Sequence, residues 1–214
     1  MAARVTRLLA SLAFALLGCA GAGAPAEAEP WRPLFDGSSL SGWRVAGGAS
    51  GAVEVAGGRL VLRAGEPMTL LALEPAVASA FPRDGYEIEL YAARTAGTDF
   101  FVGLTFPVGD GGLTLVLGGW GGSLCGLSCL DGLDASANET KCFHRFDKGR
   151  DYRVSVRVVR GRVTARVDGH PIVDLDTSGQ RCTLRHEVEA CAPLGLATYQ
   201  TEARVAGVRW RRVW

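Results

Sequence analysis

The chain has 214 residues, of which 48% are hydrophobic and 21% charged, a balance that describes a globular protein and excludes a disordered one. The formal net charge is +1, and the arginines are interspersed with carboxylates along the chain, which argues against a nucleic-acid partner. Beyond the N-terminal segment no apolar run is long enough to span a bilayer as a helix.

The N-terminus reads as an export signal. Arg4 and Arg7 precede an apolar run from Leu8 to Leu17 that is too short to cross a membrane. Leu16-Leu17-Gly18-Cys19 has the form of a lipobox, in which the leader is cut before a cysteine whose thiol then carries lipid; a plain cut nearer Ala24 is the alternative. The expected organisation is a signal peptide over residues 1–18, a flexible tether over 19–33 and one β-sandwich domain over 34–214. The protein is then exported to the bacterial cell envelope, and its membrane contact is the lipid on Cys19 alone.

The domain opens with Leu34-Phe35-Asp36-Gly37-Ser38-Ser39-Leu40-Ser41-Gly42-Trp43, where two turn-forming clusters lie between two aromatics. That spacing predicts a short edge segment with Phe35 and Trp43 tucked under a sheet. Val53 and Val55, then Gly57-Gly58, then Leu60 and Leu62 predict a hairpin. Tyr86 to Tyr91 alternates strictly, placing Tyr86, Ile88 and Leu90 on one face and Glu87, Glu89 and Tyr91 on the other. Phe100, Val102, Leu104 and Phe106 continue the buried face, and Leu113, Leu115 and Leu117 repeat it.

The clearest hairpin comes next. Val154, Val156 and Val158 run into Arg160-Gly161, and Val163, Ala165 and Val167 return to Asp168-Gly169, with Arg153, Ser155, Arg157, Arg162, Thr164 and Arg166 outside. Ile172 and Val173 make a further short strand, and Leu194 to Thr198 and Val205 to Trp210 close the chain. Many short antiparallel strands joined by tight turns predict an all-β fold, a two-sheet sandwich of the jelly-roll type with a polar face for a ligand.

Set apart from Cys19, five cysteines remain, and an oxidising compartment favours pairing them. The expected bridges are Cys182 with Cys191, and Cys142 with either Cys129 or Cys125. A zinc site on Cys125, Cys129 and Cys142 is the rival, although the spacing lacks paired CxxC knuckles.

Several segments resemble the 3-keto-disaccharide hydrolase domain family, also called the 3-keto-glucoside lyase/hydratase family, of the concanavalin A-like lectin/glucanase superfamily. They are the opening Leu34 to Trp43, Gly85 to Leu90, Asp151 to Val154, Val167-Asp168-Gly169 with Val173-Asp174, Pro193 to Leu196, and Val208 to Arg211. The resemblance implies a concanavalin A-like jelly roll that is secreted and carbohydrate-active, some members cleaving or hydrating sugars oxidised at the 3-position. The chain departs from it in a glycine-rich segment from Leu117 to Cys142, and its three histidines, His144, His170 and His186, lie away from the middle strands.

Glu87 and Glu89 fall on one strand face roughly 7 Å apart, a spacing at which two carboxyls can flank a glycosidic bond. The competing reading is an arginine-paired strand face, with Arg157 or Arg166 across the sheet. Asp99, at the start of the next strand, is a third catalytic candidate. Trp120 sits between Gly118-Gly119 and Gly121-Gly122, so its indole is either a stacking platform for a pyranose or a plug for one end of the sandwich. Asp131, Asp134, Asn138 and Glu139 offer oxygen ligands to a calcium ion or to sugar hydroxyls, or else cap their own loop. Substrate binding is therefore expected from Trp120, Arg157, Asp131 and Asn138. Two functions fit: a hydrolase or lyase acting on glycosides or keto-glycosides, and a non-catalytic glycan-binding or surface-structural module.

Overall fold

A computed structural model describes residues 28–48 and 50–214. The signal segment and Cys19 lie outside the described residues. Among the described residues, fifteen strands form two antiparallel sheets. The eight-stranded sheet contains β1 (Arg32–Pro33), β3 (Val53–Ala56), β4 (Arg59–Leu62), β6 (Tyr86–Ala96), β11 (Tyr152–Val159), β12 (Arg162–Val167), β13 (His170–Asp176) and β15 (Glu202–Arg212). Its order is β13-β12-β11-β6-β15-β4-β3, and β1 pairs with β15 beside them. The seven-stranded sheet contains β2 (Trp43–Val45), β5 (Met68–Leu73), β7 (Val102–Val108), β8 (Gly111–Gly119), β9 (Leu124–Ser128), β10 (Cys142–Phe143) and β14 (Gly195–Tyr199), in the order β10-β9-β8-β7-β14-β5-β2. The fold is a jelly-roll sandwich.

The period-two pattern decides which residues meet between the sheets. From the eight-stranded sheet come Tyr86, Ile88, Leu90, Val154, Val156, Val158, Val163, Ala165 and Val167; from the other come Leu71, Leu73, Val102, Leu104, Phe106, Leu113, Leu115 and Leu117. Each such aliphatic side chain stabilises the fold by about 1.5–3 kcal/mol on burial, so the shared layer dominates the favourable energy. Phe35 and Trp43 are buried at its margin, and the Trp43 indole Nε1 donates to the Leu34 carbonyl at 2.7 Å.

Four local outcomes differ from the sequence pattern. Phe100 leaves the buried face, because the chain bends before Val102 and Phe101 takes the inward position instead. The domain also takes in residues assigned above to the tether: Glu29 donates its backbone N–H to the Arg212 carbonyl at 3.0 Å, and Arg32 and Pro33 pair with Trp210 and Arg209. The glycine-rich segment from Leu117 to Cys142 contains β9 and completes the seven-stranded sheet.

The expected disulfides are the fourth correction: all five described cysteines are free thiols. Cys182 packs against the core between the sheets, while Cys191 packs on the opposite, outer face of the seven-stranded sheet, so the sheet itself separates them. Cys142 does not meet Cys129 either. It stands directly across from Cys125 on β10 and β9, the Cys142 thiol donating to the Ile172 carbonyl at 3.5 Å and the Cys125 thiol to the Ser123 carbonyl at 3.6 Å. The facing Cys125 thiol draws the Cys142 pKa down to about 7, and Cys142 together with burial raises that of Cys125.

Candidate functional site

The outer faces of the two sheets differ sharply. On the eight-stranded sheet, Glu87, Glu89, Arg153, Arg157, Arg209 and Arg211 project together from β6, β11 and β15. Glu89 is 0% exposed and lies between two guanidinium groups, Arg153 Nε donating to Oε2 at 2.6 Å and Arg209 Nη2 to Oε1 at 2.5 Å. Glu87 accepts from Arg211 Nη2 at 2.6 Å and stands opposite Arg157. The Trp31 ring covers this cluster, with the Arg209 and Arg211 guanidinium carbons 4.7 and 4.4 Å from its centroid. The structure ties Glu87 and Glu89 into an ion-paired ladder with Arg153, Arg209 and Arg211, leaves Arg157 in register opposite Glu87 without an ion pair among the described residues, and holds this cluster away from Asp99 and Trp120.

The outer face of the seven-stranded sheet carries a cleft of about 440 Å³, within the range of small-molecule sites. Thr114, Val116 and Ser128 line its floor with Pro67 and Met68 beside them, since every second residue of these strands points outward. Thr105, Thr114 and Ser128 form one row across β7, β8 and β9, and the Thr105 and Thr114 hydroxyls are 3.0 Å apart. Gly103, Val116 and Ala197 form the next row. A 3-10 helix, His186–Cys191, covers part of the floor by packing Val188 and Cys191 on Leu70, Ala72 and Ala197. Gly195 makes that approach close: a Cβ there would stand 2.7 Å from the Cys191 Cβ.

One wall is aromatic and carries a single carboxylate. Phe100 and Tyr199 stack tilted with centroids 5.9 Å apart, and Trp120, 50% exposed, stands with them at the cleft. Asp99 lies at the same wall. Its Oδ1 accepts the Phe100 N–H at 2.7 Å, its own N–H donates to Thr201 Oγ1 at 3.0 Å, and its carboxylate makes no ion pair among the described residues. The Trp120 backbone is held in the left-handed region, φ 48°, within a turn closed by the Gly122 N–H donating to the Gly119 carbonyl at 3.1 Å. Such a backbone costs a non-glycine residue about 1 kcal/mol or more, so the indole is presented against a local penalty.

The opposite rim is ionic. Arg185 Nη2 donates to Glu187 Oε1 at 2.9 Å and Nη1 to Asp134 Oδ2 at 3.2 Å. The Arg185 guanidinium, followed by a backbone N–H, holds the Glu187 carboxyl down at about 2, so it stays ionised and cannot deliver a proton near neutral pH.

The loop acids serve their own loop. Asn138 Nδ2 donates to the carbonyls of Leu127 at 2.7 Å and Asp134 at 2.8 Å, while its Oδ1 accepts from Thr140. Asp131 Oδ1 accepts the Arg181 N–H at 2.8 Å, Asp134 Oδ1 accepts from Ser136, and Glu139 accepts from Gln180. With those oxygens engaged the set does not fit calcium, and among the described residues no three His, Cys, Asp or Glu side chains converge to hold a metal. Sequence reasoning missed Phe100 as a wall residue, and with it Tyr199, Arg185 and Glu187. The 3-10 helix that brings Glu187 to the cleft has no side-chain cap and only six residues, so no periodicity announces it.

No protein-family profile matches the sequence, and no curated protein matches it. Solved structures do resemble the fold. A non-specific endo-β-1,3(4)-glucanase of family GH16 has a TM-score of 0.54 at 14% identity, covering 89% of this chain and 96% of its own. The exoplasmic/lumenal domain of VIP36, in a form bound to Ca2+ and Man3GlcNAc, has a TM-score of 0.55 at 12% identity, covering 87% and 91%. The carbohydrate-binding module CBM66 from Bacillus subtilis has a TM-score of 0.52 at 12% identity, covering 78% and 93%. These likenesses establish the architecture, and the chain has the concanavalin A-like jelly-roll fold.

Proposed function

We propose that the domain binds saccharide in the cleft on the outer face of the seven-stranded sheet and acts as a glycan-binding module of the cell envelope. The observation that carries this reading is the wall formed by Trp120, Phe100 and Tyr199 over a floor of hydroxyls and small residues. A flat aromatic face covers the apolar side of a pyranose, and Asp99, Ser128 and Arg185 supply polar groups at its edges. Structures of the same architecture described as a carbohydrate-binding module and as a sugar-bound lumenal domain support it. Export through the leader over residues 1–18 and lipidation at Cys19 belong to the same proposal, supported by the sequence.

Cleavage of glycosides or 3-keto-glycosides is the second reading, favoured by the resemblance to 3-keto-disaccharide hydrolases and by one structural fact. Asp99 reaches the cleft without a cationic side chain in ion-pair contact among the described residues. General acid/base work on a glycosidic bond asks for two carboxyls, and the second one here, Glu187, is tied to Arg185. The test is a panel of glucosides, 3-keto-glucosides and neutral oligosaccharides, with tryptophan fluorescence and sugar release followed together. Saturable quenching without release supports the binder. Release abolished by Asp99→Asn supports the enzyme, and neither signal with any sugar removes both.

A further inference from the structure

Arg94 on β6 is 6% exposed, yet its hydrogen bonds run to backbone carbonyls rather than to a carboxylate. Nη1 donates to Asp99 O and Gly122 O, both at 3.3 Å; Nη2 donates to Gly122 O at 3.3 Å and to Phe146 O at 3.1 Å. Its Nε is buried with no partner, and the guanidinium lies over the Phe101 ring, 5.6 Å from the centroid. A cation taken out of water without a counter-ion in contact is costly, and an apolar side chain would fill the same space at less cost. What the guanidinium does hold is specific. Its three carbonyls belong to three separate connections: the β6–β7 turn, the β8–β9 turn, and the segment between β10 and β11.

Two of those connections make the cleft's aromatic wall. The β6–β7 turn bears Asp99 and Phe100, and the β8–β9 turn bears Trp120. The fit is tight: a Cβ on Gly122 would come 3.1 Å from Arg94 Nη1 and 3.0 Å from the Thr98 carbonyl, so the turn rests directly on the guanidinium. Gly119 brings the two turns together, its Cβ position lying 3.7 Å from Asp99 Oδ1. A planar fork with five donors can bridge three carbonyls at once, which a lysine ammonium at one point cannot.

We infer that Arg94 is a positioning residue for the saccharide cleft: its buried guanidinium fixes the Trp120 turn against the Asp99 turn and so sets the wall on which the sugar stacks. The inference rests on the saccharide reading of that cleft. It is tested in the full-length chain with Arg94→Met and Arg94→Lys, with cellotriose, laminaritriose and mannotriose as probes. Arg94→Met is expected to keep the parent's far-ultraviolet circular dichroism and a cooperative melt. It should lose about tenfold in affinity, since small misplacement of preorganised groups is expensive. The Trp120 contribution to emission, taken as the difference from Trp120→Phe, should shift to the red and become more open to acrylamide. Arg94→Lys, which keeps the charge, should fall between parent and Arg94→Met, and it carries the test if Arg94→Met does not fold. Parental affinity and parental Trp120 emission in a folded Arg94 variant would overturn the inference alone. A parent that binds none of the three probes would overturn the saccharide reading and the role of Arg94 with it.

Discussion

The eight-stranded sheet presents arginines and carboxylates to solvent, while the seven-stranded sheet presents hydroxyls and three aromatic rings around its cleft. Both faces are polar in composition, but their polarity is spent differently. On the first, guanidinium and carboxylate groups satisfy one another through short bonds, as at Glu89, and leave little for a ligand. On the second, the polar groups are few and spaced around a hollow with a flat ring beside it. Charge density alone therefore does not mark where a ligand would be held; a cleft with free polar groups next to an aromatic face offers more to one.

The sharpest way to break this contrast is at its two centres. Glu89→Gln removes the buried carboxylate that two half-exposed arginines share, and is expected to lower stability by about 1–3 kcal/mol in urea melts while saccharide affinity stays at the parental value. A loss of affinity without loss of stability would move function to the charged face. Trp120→Gly should do the reverse. Relief of the positive φ raises stability by about 1 kcal/mol, and removal of the indole weakens saccharide binding by about tenfold or more. Unchanged affinity there would make the indole a plug.

Gly195→Ala tests the lid of the cleft. Its new Cβ meets Cys191 on one side and the Leu71 carbonyl on the other, both 2.7 Å away, so it should cost about 1–3 kcal/mol and disturb Val188 over the floor.

Smaller effects follow from titration. The Glu187 carboxyl titrates at about 2 in the fold against an ordinary 4.5, so the stability its pairing with Arg185 contributes is fully present above pH 4.5 and is lost as pH falls to 2. Saccharide affinity measured from pH 7 downward is expected to hold until about pH 3 and to decline only as the folded-state carboxyl titrates at about 2. The Cys142 thiol, drawn down to about 7 by Cys125, should be alkylated by iodoacetamide with a midpoint near that pH, being protonated and slow below it; a midpoint near the ordinary 9 would break the contact between the two thiols.

Much of this architecture is legible in the chain because the outer sheet surfaces enforce alternation. The β11–β12 hairpin has one face in the core and one toward water, and Tyr86 to Leu90 has one face in the core and one under arginines, so the sequence shows that alternation residue by residue. Met68–Leu73 does not: both of its faces are buried, one by the core and one by the 3-10 helix, so Met-Thr-Leu-Leu-Ala-Leu carries no period. The site suffers from the same cause. Trp120 is visible because glycines surround it, whereas Phe100 and Tyr199 look like core aromatics until a bend at one and the strand's outer face at the other expose them to the cleft. Glu187 reaches the rim by tertiary packing that no local spacing encodes. The carboxylates of β6 stand out by spacing alone, and their arginine partners from β15 arrive from more than a hundred residues away.

Glu29 to Pro33 lie along β15, in the sheet that turns its back on the cleft. A pull applied at Glu29 would be taken up by the Arg32 and Pro33 pairing and by Trp31 stacked on Arg209 and Arg211. Such a load would be carried on the sheet away from the aromatic mouth, so the cleft would not bear it.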